Sequence, residues 1–67
     1  MSEIMFARHQ PDGEAYAIQV DGDNVLGICG PLHYSDLWQT DYHWDAGSLD
    51  WCIGELGAGH FAHIDHA

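Results

Sequence analysis

The chain has 67 residues and a formal net charge of −10, from eleven Asp and Glu against a single Arg, Arg8. That length holds one small domain, residues 1–67, and a hydrophobic share of 46% with three Trp, three Tyr and two Phe is too apolar for a disordered acidic tail. A surface of this sign disfavours direct contact with nucleic-acid phosphates and with anionic membranes, because both call for Lys and Arg.

Met1, Ser2 and Glu3 lead into a mixed segment, not into a basic stretch followed by an apolar run. No secretory signal is expected, and no window approaches the length of a membrane span. Cytoplasmic location follows, with Cys29 and Cys52 reduced. Ile4 to His9 is a short apolar-rich strand, and Gln10-Pro11-Asp12-Gly13 is strong turn chemistry. Glu14 to Val20 alternates, with Tyr16, Ile18 and Val20 on one face. Asp21-Gly22-Asp23-Asn24 forms a second turn, and Val25 to Cys29 a third strand closed by Gly30-Pro31.

Pro31 suits the first turn of a helix. Tyr34, Leu37 and Trp38 follow at i, i+3 and i+4, an amphipathic stripe that ends near Thr40 because Asp41 would fall on it. Asp45-Ala46-Gly47-Ser48 is a loop. Leu49, Trp51 and Ile53 then alternate, Gly57-Ala58-Gly59 breaks the chain and Phe61 to Asp65 follows, which reads as a second hairpin. Helix over 49–56 competes with this reading, since Ser48 can cap it and Gly57 can end it. The Gly54 interior and the Trp-Cys-Ile run favour strand. The expected class is α+β: an antiparallel sheet of about five strands, meander plus hairpin, with one short covering helix.

This topology distributes the charge. A helix of about ten residues travels roughly 15 Å, which carries Asp41 and Asp45 back toward the Asp21/Asp23 turn, with Asp50 opening the next strand beside them. Asp21, Asp23, Asp41, Asp45 and Asp50 are thus expected at one pole, Asp12, Glu14 and Glu55 at the other, and Asp36 on the outer helix face. Tyr42 and Trp44 lie between Asp41 and Asp45, where exposed aromatics commonly anchor an interface; packing in the core is their plainer role. From His9 to the C-terminus ten acidic residues stand with no Lys or Arg. Such a surplus repels itself and points to a partner that supplies the positive charge. DNA carries a phosphate about every 3.4 Å along each strand, and rigidly held carboxylates can imitate part of that pattern.

At this level the chain resembles the small acidic anti-CRISPR proteins of phages and mobile elements, in particular those that imitate DNA against type I surveillance complexes. The resemblance covers length, charge, the lack of targeting signals and the acidic-aromatic segment Asp36–Trp51. It is not a motif match, and no functional residue carries over from it. It implies an inhibitor in the host cytoplasm that occupies a basic DNA-binding surface, such as the PAM-reading face of the large subunit; the chain is expected to act as a monomer. Inhibitors of restriction or repair enzymes look equally similar.

Other chemistry is less well supported. His60, His63 and His66 are spaced by three, but no C-x-x-C pair or H-E-x-x-H helix accompanies them. On a strand His63 would face away from the other two. An acidic metal-binding or adaptor module is therefore the alternative reading, and no metal ligand or cofactor is assigned. Protonating the six imidazoles near pH 6 would offset more than half of the net charge. His33, Ser35 and Asp36, or a Cys–His dyad, do not make triad geometry by sequence proximity, and no nucleophile elbow or phosphate loop is present. The chain is read as a binding protein, not an enzyme, with no catalytic residue.

Overall fold

A computed structural model describes residues 2–38 and 41–65. The first turn closes as its chemistry dictates: Asp12 Oδ1 accepts the Glu14 N–H at 2.9 Å, and the Gly13 N–H bonds the His9 carbonyl at 2.7 Å. It joins β1 (Glu3–His9) to β2 (Glu14–Asp21), and the next turn joins β2 to β3 (Asn24–Leu32). These three antiparallel strands are the expected meander. A short β4 (Phe61–His63) pairs antiparallel with the far side of β1, which gives the order β3-β2-β1-β4. The class is α+β, with four strands among the described residues rather than five.

The missing strand and the helix have changed places. The helix expected from Pro31 is replaced, among the described residues, by a single 3₁₀ turn, Tyr34–Asp36, without a side-chain cap. Pro31 stands inside β3, which continues to pair as far as Leu32 with Ala15. An edge strand tolerates a proline there. His, Tyr, Ser, Asp and Trp are indifferent helix formers, and here they also lack a cap. The expected helix end near Thr40 lies outside the described residues.

The helix is instead α1 (Leu49–Gly57), so no second hairpin forms. Its start is prepared by Asp45, whose Oδ1 accepts the Gly47 N–H at 2.8 Å over a 3₁₀ turn, Ala46–Ser48, that runs straight into α1. Ser48 does not cap the backbone; its hydroxyl donates to Asp45 Oδ2 at 2.8 Å. The other end is a Schellman closure. Gly59 adopts φ +77, its N–H bonds the Leu56 carbonyl at 3.1 Å, and the His60 N–H bonds the Glu55 carbonyl at 3.0 Å. Two ready-made caps and an apolar stripe outweigh the interior Gly54.

The sheet is covered on both faces. Ala7, Tyr16, Ile18 and Ile28 meet Cys52 from α1, with Met5, Val20, Val25, Leu56 and Phe61 packed around them. Side chains alternate along a strand, so Ala15, Ala17 and Cys29 project from the opposite face, and they too are buried. There Leu37, Trp38, Tyr42 and Trp44 form the cover. Trp38 and Tyr42 pack on Phe6, at centroid distances of 5.8 and 6.5 Å, and Leu37 is fully buried. Trp44 lies so close to Gly27 that a Cβ there would sit 3.0 Å from its own. Cys29 and Cys52 are free and buried, one on each side of the sheet. Among the described residues no helix is long and apolar enough to cross a membrane.

Leu37 and Gly54 test this packing in opposite directions. Leu37→Ala opens the aromatic layer and is expected to lower stability by about 2–5 kcal/mol. Nothing lies within 4 Å of a Cβ built at Gly54, so Gly54→Ala is expected to add about 0.5–1 kcal/mol through helix propensity. Urea unfolding of both variants reads the two signs.

Candidate functional site

His9 ends β1, opposite Glu14 on β2 and Phe61 on β4. It is 4% exposed, in a chain with no Lys and one Arg. Its ring is walled by Trp51 at 4.9 Å, Phe61 at 5.0 Å and Tyr16 at 6.3 Å between centroids. Two carboxylates enter this wall. Glu55 Oε1 lies 2.8 Å from His9 Nε2, and Asp12 Oδ2 lies 2.9 Å from Nδ1, a charge contact that is not aligned as a hydrogen bond. The second oxygen of Glu55 reaches His60 Nδ1 at 3.0 Å.

The backbone explains why these groups meet. The β1–β2 turn returns Asp12 over His9, three residues back. Glu55 lies in the last turns of α1, and the Schellman closure brings His60 back beside it. A further bond, from the Gln10 N–H to the His60 carbonyl at 2.8 Å, ties that closure to the end of β1. The result is a chain of acid and imidazole, Asp12–His9–Glu55–His60. Burial works to lower the His9 pKa, but the Glu55 hydrogen bond and the negative charges of Glu55 and Asp12 beside the ring outweigh it and raise the value above its ordinary 6.5. Asp12 is held low by the Glu14 N–H and then by His9, and Glu55 is held low by His9 and then His60. Donor atoms of His9, Glu55 and His60 all lie within 4.8 Å of one another, so these three have the reach to share a cation.

The acidic residues singled out from the sequence are not gathered as expected. Asp21 ends β2 and Asp23 lies in the adjoining turn, at the sheet end away from Asp12. Asp45 is not with them. Its N–H bonds the Ile28 carbonyl at 2.8 Å on the outer edge of β3, four residues from either end of that strand. Its carboxylate is the cap described above, and the Ser48 hydroxyl and Gly47 N–H hold its pKa low. Asp50 is exposed in the first turn of α1, where a negative charge suits the helix dipole. Asp36 is exposed at the end of the 3₁₀ turn, and Asp41 is exposed in irregular chain. Tyr42 and Trp44 are half-buried and stack on each other at 5.0 Å; the Tyr42 hydroxyl donates to the Leu37 carbonyl. Their rings belong to the aromatic layer rather than to a free face.

Sequence reasoning placed Asp12 and Glu55 at the same end of the molecule but did not foresee that His9 joins them across 46 residues. One signal was available: a glutamate five residues before a histidine, with a glycine just ahead of that histidine, is what a Schellman closure needs to fold one onto the other. Of the thiols, Cys52 has its pKa pushed up by burial, which makes it a weak nucleophile. No family model, curated protein or solved structure matches the chain.

The acid–imidazole chain sets a pH window. The raised His9 value contributes stability that is fully present below its unfolded pKa, near 6.5, and lost as pH rises through the folded value. The lowered Asp12 and Glu55 values contribute stability present above their unfolded pKa values, near 3.8 and 4.5, and lost as pH falls through the folded ones. Thermal stability is therefore expected to peak between about pH 5 and 6.5. His9→Gln should flatten the alkaline limb, which melting curves across pH would show.

Proposed function

We propose that the chain is an inhibitor that binds a basic, nucleic-acid-binding surface of another protein with its carboxylates and so keeps DNA away from it. The observation that carries this reading is the division of charge. Arg8 donates to the Gly13 carbonyl at 3.1 Å, and Asp12 and Glu55 are matched by imidazoles. Glu3, Asp23, Asp41 and Asp50 are exposed and have no cationic partner among the described residues. With one Arg and no Lys in the chain, the exposed carboxylates carry most of its formal net charge of −10.

Such a surface attracts a groove lined with Lys and Arg, accelerates encounter and repels nucleic acid itself. The long dimension of 28 Å covers about eight phosphate steps of one DNA strand, the footprint of a short recognition segment. The resemblance to DNA-imitating anti-CRISPR proteins supports a type I surveillance complex as the first target, in the cytoplasm of a phage host. The packing of Tyr42 and Trp44 shifts the weight of recognition from aromatic anchors to charge.

Competition on a purified type I complex tests the proposal. Labelled target DNA is expected to be displaced, with about tenfold or greater relief on raising salt from low to several hundred millimolar. Reversing Asp21, Asp23, Asp41 and Asp50 to Lys is expected to abolish displacement, whereas reversing Glu14 alone should matter little. Asp45 is left intact because its carboxylate builds the start of α1. Unchanged DNA binding would remove this complex as the target, and an effect per reversed charge as large at Glu14 as at the four aspartates would reduce the surface to net charge alone.

A further inference from the structure

We propose that His9, Glu55 and His60 form a site for one divalent transition-metal ion of the zinc or nickel type, independent of the partner proposed above. Two imidazoles and a carboxylate are a ligand set that suits zinc, nickel or copper rather than calcium or magnesium. It also matches the three-ligand sites that leave a fourth position for water.

His9 Nε2 and Glu55 Oε1 lie 2.8 Å apart. Asp12 lies 2.9 Å from the other ring nitrogen, Nδ1. In a neutral imidazole with its proton on the Asp12 side, Nε2 presents a lone pair straight at an anionic oxygen. Two acceptors at that distance repel unless a cation lies between them. A metal ion can occupy that place, since the ligand atoms of His9, Glu55 and His60 all lie within 4.8 Å of one another. An acid behind a ligating histidine is also the usual outer support of a metal site, because it fixes the tautomer and orients the ring. Asp12 stands in that place without having been recruited by any metal.

The remaining ligand is set by the backbone. His60 is bonded through its N–H to the Glu55 carbonyl and through its carbonyl to the Gln10 N–H. Its position relative to His9 therefore does not depend on an ion. A tetrahedral zinc site with bonds of about 2.0–2.2 Å separates its ligands by about 3.3 Å. The 2.8 and 3.0 Å contacts run to different oxygens of Glu55, and the three ligand atoms, within 4.8 Å of one another, reach that spacing by side-chain adjustment. Trp51, Phe61 and Tyr16 wall the His9 side, while His60 is half-exposed and gives an entry path. His63, which the spacing of the tail histidines had grouped with His60, pairs with Asp65 at 3.2 Å in solvent and takes no part in the cluster.

Calorimetric titration of the full chain with zinc chloride at about pH 7.5, where imidazole is largely neutral, tests the site. Saturable binding of one ion per chain is expected, with a rise in melting temperature. His60→Ala, at a half-exposed position, and Glu55→Gln, which keeps the shape of the side chain, should each weaken binding at least tenfold, and Asp12→Asn about 10–100-fold as an outer support. The double variant His63→Ala/His66→Ala should leave affinity unchanged. On the unaltered chain, zinc should shift the imidazole NMR signals of His9 and His60, a readout that does not depend on any variant folding. Absence of saturable binding, or zinc shifts confined to the other histidines, would overturn the proposal.

Discussion

The structure depends on one buried imidazole. His9 is the point where the end of β1, the first turn, the last turns of α1 and the start of β4 converge. A helix that carries a glutamate inward needs a positive group to meet it, and this chain has no Lys and places Arg8 elsewhere. The His9 imidazole meets that need when it carries a proton. Removing Glu55 from this part-buried pair leaves the buried imidazole with Asp12 alone beside it, which costs more than the pair contributes. The clamp is therefore less a source of stability than a condition on the docking of α1.

The second constraint is the two-sided sheet. Ala15 and Ala17 alternate with Tyr16 and Ile18, so β2 is large on the helix side and small on the other. With Gly27 beside them on β3, the small side leaves room for flat rings rather than for a helix. The segment through Leu37, Trp38, Tyr42 and Trp44 fills it with aromatics in edge and stacked contacts. At Asp45 the chain rounds the edge of β3 and passes to the other face, where α1 begins. The apolar residues are thereby largely committed to two thin layers, and the carboxylates remain outside. A small domain with this division recognises a partner by electrostatics and shape more than by a hydrophobic centre.

Much of this was legible in the residues. The meander rests on local turn chemistry, and Gln10–Gly13 and Asp21–Asn24 close where their Pro, Gly, Asp and Asn content predicts. The exchange of helix and strand was not legible from periodicity. Tyr34, Leu37 and Trp38 have helical spacing because Leu37 and Trp38 turn toward the sheet within an irregular cover, not because the backbone is helical. At 49–56 the decisive features were the ends: Asp45 ahead of the helix and Gly59 behind it lie outside the window that the alternation of Leu49, Trp51 and Ile53 describes. The acidic pole failed at Asp45 for the same reason, since a carboxylate engaged as a cap is positioned by its own turn. His9, Glu55 and His60 come together through sheet order and helix docking, which no local pattern encodes.

The charge state of His9 is the most direct test of this account, read from its ring proton in an NMR pH titration of the intact chain. The account requires the imidazole to titrate above its ordinary 6.5, with its signals changing together with those of Glu55 and Asp12 at the opposite edge of the window. A His9 that titrates below 6.5 would show that burial prevails over the two carboxylates, and that the cation on which α1 docks is not this one.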